Sequence, residues 1–183
     1  ITRMERSYSI SVSLNGEALD KVYQCHEVLK NTFSIRFMSD KPIQPHINII
    51  SGQSSKIEAI ISKLKKFKST YKYSTNIIGL GILLTPAPLI YLRFTNSNLL
   101  QDLRKYVYQN TSTMWTEFHE TTNENFWIPK STIAFGDVSI QQISDVAESL
   151  SFIKFQCKMS VEELCIMECS EQEREIASIM LQS

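Results

Sequence analysis

One short pattern occurs twice in this chain. Pro45-His46-Ile47-Asn48-Ile49 and Pro129-Lys130-Ser131-Thr132-Ile133 both open on proline. Each then carries a cation-capable side chain and, two residues on, a hydrogen-bonding one, inside an apolar frame. Side chains alternate between faces along a strand. His46 and Asn48 therefore share one sheet face, with Ile47 and Ile49 on the other. By the same alternation Lys130 and Thr132 share a face, opposite Ser131, Ile133 and Phe135. Where the two lobes that carry these strands oppose each other, the four polar groups converge on one cleft, the default place for a ligand.

The elements around the two patterns repeat as well. Ser7 to Leu14 alternates with the period of a half-buried strand. Asn15-Gly16 then caps a helix over about 17–30 whose inward stripe reads Leu19, Val22, Tyr23, His26 and Leu29. A strand over 43–50 is followed by Ser55 and Glu58 at capping-box spacing. The helix they open turns Ile57, Ile60, Ile61, Leu64 and Phe67 inward, with Lys63, Lys65, Lys66 and Lys68 around the rest. Strands over 71–84 and 89–95 flank the turn Thr85-Pro86-Ala87-Pro88. A third helix, about 98–109, carries Leu99, Leu103, Tyr106 and Val107, and a polar loop runs from Thr111 to Asn125. A strand over 126–135 leads to a Ser139/Gln142 capping box and a helix with Ile143, Val146, Ala147 and Leu150 inward. Two strands, about 152–158 and 161–168, close the order. The sequence thus reads β-α-β-α-β-β and then α-β-α-β-β, a single α+β domain over 1–183 whose lobes are two similar halves related by a rough two-fold.

Charge narrows the partners. Lysine plus arginine equals aspartate plus glutamate at 19 each, so no global basic field draws in nucleic acid, and recognition of RNA or a nucleotide falls to a local cleft. The lysines from Lys63 to Lys72 read as a solvated helix face rather than an RNA-attracting one. Cys25, Cys157, Cys165 and Cys169 form no Cys-x-x-Cys pair and read as reduced, structural thiols of a cytoplasmic protein. No apolar run approaches the roughly 20 residues that span a bilayer. A monomer without membrane attachment is the expectation. The opening on Ile1 rather than methionine is what a trimmed or excised segment would show.

Taken together, the two patterns resemble the paired His-x-Thr/Ser motifs of the two-histidine (2H) phosphoesterases, a superfamily that includes the 2'-5' RNA ligases and cyclic nucleotide phosphodiesterases. The resemblance covers nearly the whole chain, including the opening Tyr8-Ser9-Ile10 strand and the capped helix after each motif. It implies a two-lobed fold of pseudo-two-fold symmetry, with antiparallel sheets around a central cleft. It also implies metal-independent acid–base chemistry with no cofactor, on a 2',3'-cyclic phosphate or 2'-5' phosphodiester. His46 and Lys130 then stand at the catalytic positions and Asn48 and Thr132 at the phosphate-binding ones. The ligand is an RNA end, a nucleotide or another phosphorylated small molecule.

Two positions depart from that family pattern. Asn48 stands where threonine or serine is usual, and its amide NH2 also donates to a phosphate oxygen. Lys130 replaces the second histidine. Imidazole suits proton transfer because it titrates near neutrality, whereas lysine needs a downward shift of roughly 3 pKa units, about 4 kcal/mol, to act as a base at pH 7. As an ammonium it holds phosphate and stabilises developing charge. The readings are therefore an enzyme with His46 as its acid or base, a catalytically impaired binder of RNA or nucleotide phosphate, and a scaffold. His119 in the polar loop is the alternative second imidazole, and His26 reads as a structural core histidine.

Overall fold

The computed structural model describes residues 5–69, 71–169 and 172–181. Its strands are β1 (Arg6–Ser13), β2 (His46–Ser54), β3 (Tyr73–Leu83), β4 (Leu89–Phe94), β5 (Glu117–Phe118), β6 (Lys130–Ala134), β7 (Cys157–Val161), β8 (Glu163–Glu168) and β9 (Arg174–Met180). The helices are α1 (Gly16–Phe33), α2 (Ile57–Leu64), α3 (Asn98–Thr111) and α4 (Ile143–Leu150). Two antiparallel sheets result, in the orders β5-β2-β1-β8-β9 and β6-β4-β3-β7. They follow one plan: β2 lies beside β1, then β8 and β9, as β6 lies beside β4, then β3 and β7.

These sheets are not the two halves of the sequence. β3 and β4 pair as a hairpin and join β6 and β7 in the second sheet, while the C-terminal β8–β9 hairpin returns to β1. Alternation reveals strands but not their partners, so this crossing of the halves is invisible in the sequence. The helices cross too: α1 packs on β6, β7 and α4, and α3 packs on β2, β3 and α2. Ile10, Val12, Ile47, Ile49, Phe94 and Leu164 are buried between these layers.

Several local expectations shift. The inward face of α1 is Ala18, Val22, Cys25 and Leu29, one position round from the expected stripe. At 3.6 residues per turn that rotation moves Tyr23 and His26 to the flank of the helix. Asn15 holds the N-cap position of α1 but makes no side-chain cap bond; its amide donates to Ser160 O at 2.9 Å. At α2, Ser54 rather than Ser55 accepts, from the Lys56 N–H at 2.9 Å. The Ser139/Gln142 box does form, with Gln142 Oε1 accepting from the Ser139 N–H at 3.0 Å. The strand expected over 126–135 begins only at Lys130, and that over 152–158 only at Cys157, leaving Phe152 exposed on a turn. β9 was not expected at all: only Ile179 among its described residues is buried, so its apolar face gives little alternation.

The short β5 closes against β2 over Gly52, where a Cβ would stand 2.0 Å from the Glu117 carbonyl oxygen. Backbone cannot yield as a side chain can, so Gly52→Ala forces the strands apart. We expect it to lower stability by about 1–3 kcal/mol, read as a fall in the urea midpoint. Phe152→Ala on the exposed turn should stay within about 0.5 kcal/mol of the parent.

Candidate active cleft

Both motifs are delivered by the same backbone device. The Leu14 N–H donates to Pro45 O at 2.9 Å, and the Phe94 N–H to Pro129 O at 3.0 Å. Each proline thus extends the ladder through its one remaining backbone group, the carbonyl. The registers match as well: Ser13 and Ser11 lie opposite His46 and Asn48, while Arg93 and Tyr91 lie opposite Lys130 and Thr132. His46, Asn48, Lys130 and Thr132 are all half-buried, whereas Ile47, Ile49, Ser131 and Ile133 are buried. The four polar side chains line a single cavity of about 400 Å³.

The environment of each group sets what it can do. A carbonyl oxygen only accepts, so the 3.0 Å contact between His46 Nδ1 and Gln44 O places a proton on Nδ1 and leaves Nε2 to take one. Burial pushes the His46 pKa below its ordinary value; the Gln44 carbonyl and the Glu173 carboxylate push it back up, and Lys41 again down. Asn48 Oδ1 accepts from Ser11 Oγ at 2.6 Å. That bond orients the amide and keeps its NH2 available as a donor. Lys130 is lowered by burial alone, and among the described residues it has no carboxylate partner. A desolvated ammonium without a counter-ion is a strong attractor for an anion.

The segment between α3 and β6 forms a wall of the cleft. Trp127 Nε1 donates to Asn48 O at 2.7 Å. Trp127 is itself held by the buried Arg104, whose guanidinium lies 5.0 Å from the ring centroid and whose Nη2 donates to Thr122 O at 2.6 Å. Thr122 Oγ1 in turn accepts from the Ser51 N–H at 3.2 Å. At the rim, Lys41 pairs with Glu173 at 3.1 Å and sits 5.0 Å from the Phe37 ring centroid, while Phe37 meets Phe135 edge-on at 6.3 Å. Asp137 pins the loop by accepting from the Arg36 and Phe37 N–H groups at 2.6 and 2.8 Å.

Sequence reasoning missed Trp127, Arg104, Lys41 and Glu173, which belong to no periodic pattern. A tryptophan two residues ahead of the Pro129 motif was the one available signal. His119 is exposed and does not line the cleft, so it does not supply the second imidazole there. His26, expected in the core, does line it. Lys63 of α2 and Lys65, Lys66 and Lys68 after it do not line the cavity. All four cysteines are free thiols, and burial pushes Cys25 up to about 12 and Cys165 up to about 11. Among the described residues no three His, Cys, Asp or Glu side chains stand together as a metal site, and no helix is long and apolar enough to cross a membrane.

No family model and no curated protein matches the sequence. Solved structures do. E. coli LigT superimposes with a TM-score of 0.62 at 12% identity, over 98% of this chain and 99% of that one. The fold is that of LigT, a 2H phosphoesterase fold. LigT complexed with 3'-AMP gives a TM-score of 0.64 at 12% identity, covering 98% and 100% of the two chains. TT0787 of Thermus thermophilus gives 0.64 at 10% identity, covering 97% and 98%. The LigT-like architecture thus spans 97–98% of this chain, with antiparallel sheets around a cleft as the resemblance implied.

His46 should titrate below the ordinary 6.5 of histidine in the free protein. An anionic phosphate beside it favours the imidazolium, so saturating inorganic phosphate should move that midpoint upward. Imidazole proton shifts in NMR titrations with and without phosphate measure both. A midpoint at or above 6.5 in the free protein would contradict the burial argument.

Proposed function

We propose that this chain binds the phosphate end of RNA or of a nucleotide in the cleft and turns it over as a metal-independent 2H phosphoesterase. The substrate class is a 2',3'-cyclic phosphate or a 2'-5' phosphodiester. The observation that carries this reading is the equivalent presentation of His46 and Lys130, from two sheets of one plan, into a single cavity. LigT, whose fold it shares, has been crystallised with 3'-AMP, with ATP and with phosphate.

In this scheme Lys130 holds a non-bridging phosphoryl oxygen as an ammonium, and the Asn48 amide and Thr132 hydroxyl donate to the others. His46 moves the proton: Nε2 accepts one from the attacking oxygen or, once protonated, gives one to the leaving oxygen. The Gln44 carbonyl on Nδ1 fixes the ring for either task. Charge that develops on the phosphoryl oxygens meets donors already in place, which is where such sites gain most.

A second reading, a phosphate-binding protein of impaired turnover, is favoured by Lys130 itself. Burial lowers its pKa, but any bound anion raises it again, so its proton stays put.

The deciding experiment is hydrolysis of nucleoside 2',3'-cyclic phosphates and 2'-5'-linked dinucleotides by the parent and by His46→Ala. Turnover should fall at least 10²-fold in the variant. Lys130→Ala should instead weaken 3'-AMP binding by about 10–100-fold, as the loss of a charged hydrogen bond of about 1.5–3 kcal/mol requires. Binding of 3'-AMP without turnover at high enzyme concentration would favour the second reading, and no binding at all would reject both.

A further inference from the structure

The cleft contains a second histidine that neither motif supplies. His26 lines the same cavity as His46 and Lys130. It sits on the flank of α1, the helix that packs on β6, and the Ile133 backbone, next to Thr132, acts on the ring by a hydrogen bond. His26 therefore belongs to the side of the cleft that carries Lys130, across from His46 on β2. Its Nε2 is enclosed and has no hydrogen-bond partner among the described residues. Enclosed polar nitrogens are nearly always satisfied, so an unpartnered one in a cavity wall marks a place where a ligand's polar atom belongs.

We infer that His26 supplies the second imidazole of this cleft, acting as the general base that Lys130 cannot be, on the phosphodiester ligand proposed above. The inference rests on that proposed reading. Burial holds His26 below the ordinary histidine range with only the Ile133 backbone opposing, so the ring is neutral at pH 7. Burial lowers His46 as well, against the Gln44 carbonyl and the Glu173 carboxylate, and it is the bound anionic phosphate that favours its imidazolium. Their placement on the two sides of the cavity assigns the roles: His26, on the Lys130 side, takes a proton, and His46, on β2, gives one.

On a nucleoside 2',3'-cyclic phosphate the step balances as follows. A water oxygen bonds to phosphorus while one water proton passes to neutral His26. The bond from phosphorus to one ribose oxygen breaks, and that oxygen receives the proton of protonated His46. The products are a nucleoside monophosphate, an imidazolium at His26 and a neutral imidazole at His46, and proton exchange with solvent restores the starting states. Lys130 neutralises the phosphoryl oxygens throughout and transfers nothing.

The test uses the whole chain, with 2',3'-cyclic AMP as substrate and 3'-AMP as the binding probe. His26→Gln should keep its affinity for 3'-AMP within about threefold and lose turnover by about 10²–10⁴-fold. Placing Lys130→His in the His26→Gln background should restore turnover at least tenfold, a rescue that a merely structural role for His26 would not permit. In the parent, 3'-AMP should shift the NMR resonances of both the His26 and His46 rings, a measurement that does not depend on any variant folding. Turnover within threefold of the parent in His26→Gln, or a His26 resonance unmoved while that of His46 shifts, overturns the inference and leaves the proposed function standing. A parent that binds 3'-AMP but never turns over overturns the catalytic step here while retaining a binding cleft. If neither histidine responds to 3'-AMP, the proposed function fails first and this inference with it.

Discussion

A strand paired on one side leaves backbone groups on its other edge that must find partners. At the outer edge of β2 those partners come from the segment between α3 and β6. Trp127 Nε1 takes Asn48 O, Thr122 Oγ1 takes the Ser51 N–H, and the His119 N–H donates to Ser51 O at 2.8 Å before β5 completes the edge. The same segment then runs into Pro129 and Lys130. Satisfying one edge of the first sheet therefore positions the strand that carries the second motif. The cleft exists because this edge is closed by side chains and a loop rather than by another full strand.

That closure relies on Arg104, a buried guanidinium without a carboxylate partner among the described residues, whose Nε is also unpartnered. Burial lowers its pKa, with Glu124 opposing. Such a cation persists because it stacks on Trp127 and donates to Thr122 O, a planar fork matching a planar ring. With Lys41 and Glu173 paired to zero net charge at the cavity, the charge left among the described lining residues is that of Lys130, with Arg104 behind Trp127. A chain of zero formal net charge thus leaves a cation without a carboxylate partner among the described residues in this cavity.

In the proposed scheme a lysine at position 130, where the family pattern has histidine, divides the labour of the site. An ammonium is a fixed charge at neutral pH and an imidazole is not, so position 130 is suited to hold the phosphoryl group and not to cycle a proton. In that scheme the proton traffic falls to the two rings, on opposite sides of the cavity. Burial lowers both: at His46 the Gln44 carbonyl and Glu173 oppose it, and at His26 the Ile133 backbone does. One cleft then holds, on this proposal, a clamp and two proton-transfer groups.

The sequence by itself determined what is local. Alternation placed His46 with Asn48 and Lys130 with Thr132 on their faces, because a strand's period of two is fixed by covalent geometry. The apolar stripe of α2 was legible in the same way, and the family pattern linked the two motifs to one cleft. Tertiary structure decided what depends on partners. The exchange of hairpins between sheets, the late start of β6 and the existence of β9 follow from which edges remain open, and no local period encodes that. The phase of α1 was decided there too. Val22 and Leu29 fit either stripe, and only packing on β6 and β7 chose Ala18 and Cys25 to complete it. That choice turned His26 out of the core and into the cleft, because a step of one residue on a helix is a rotation of about 100°.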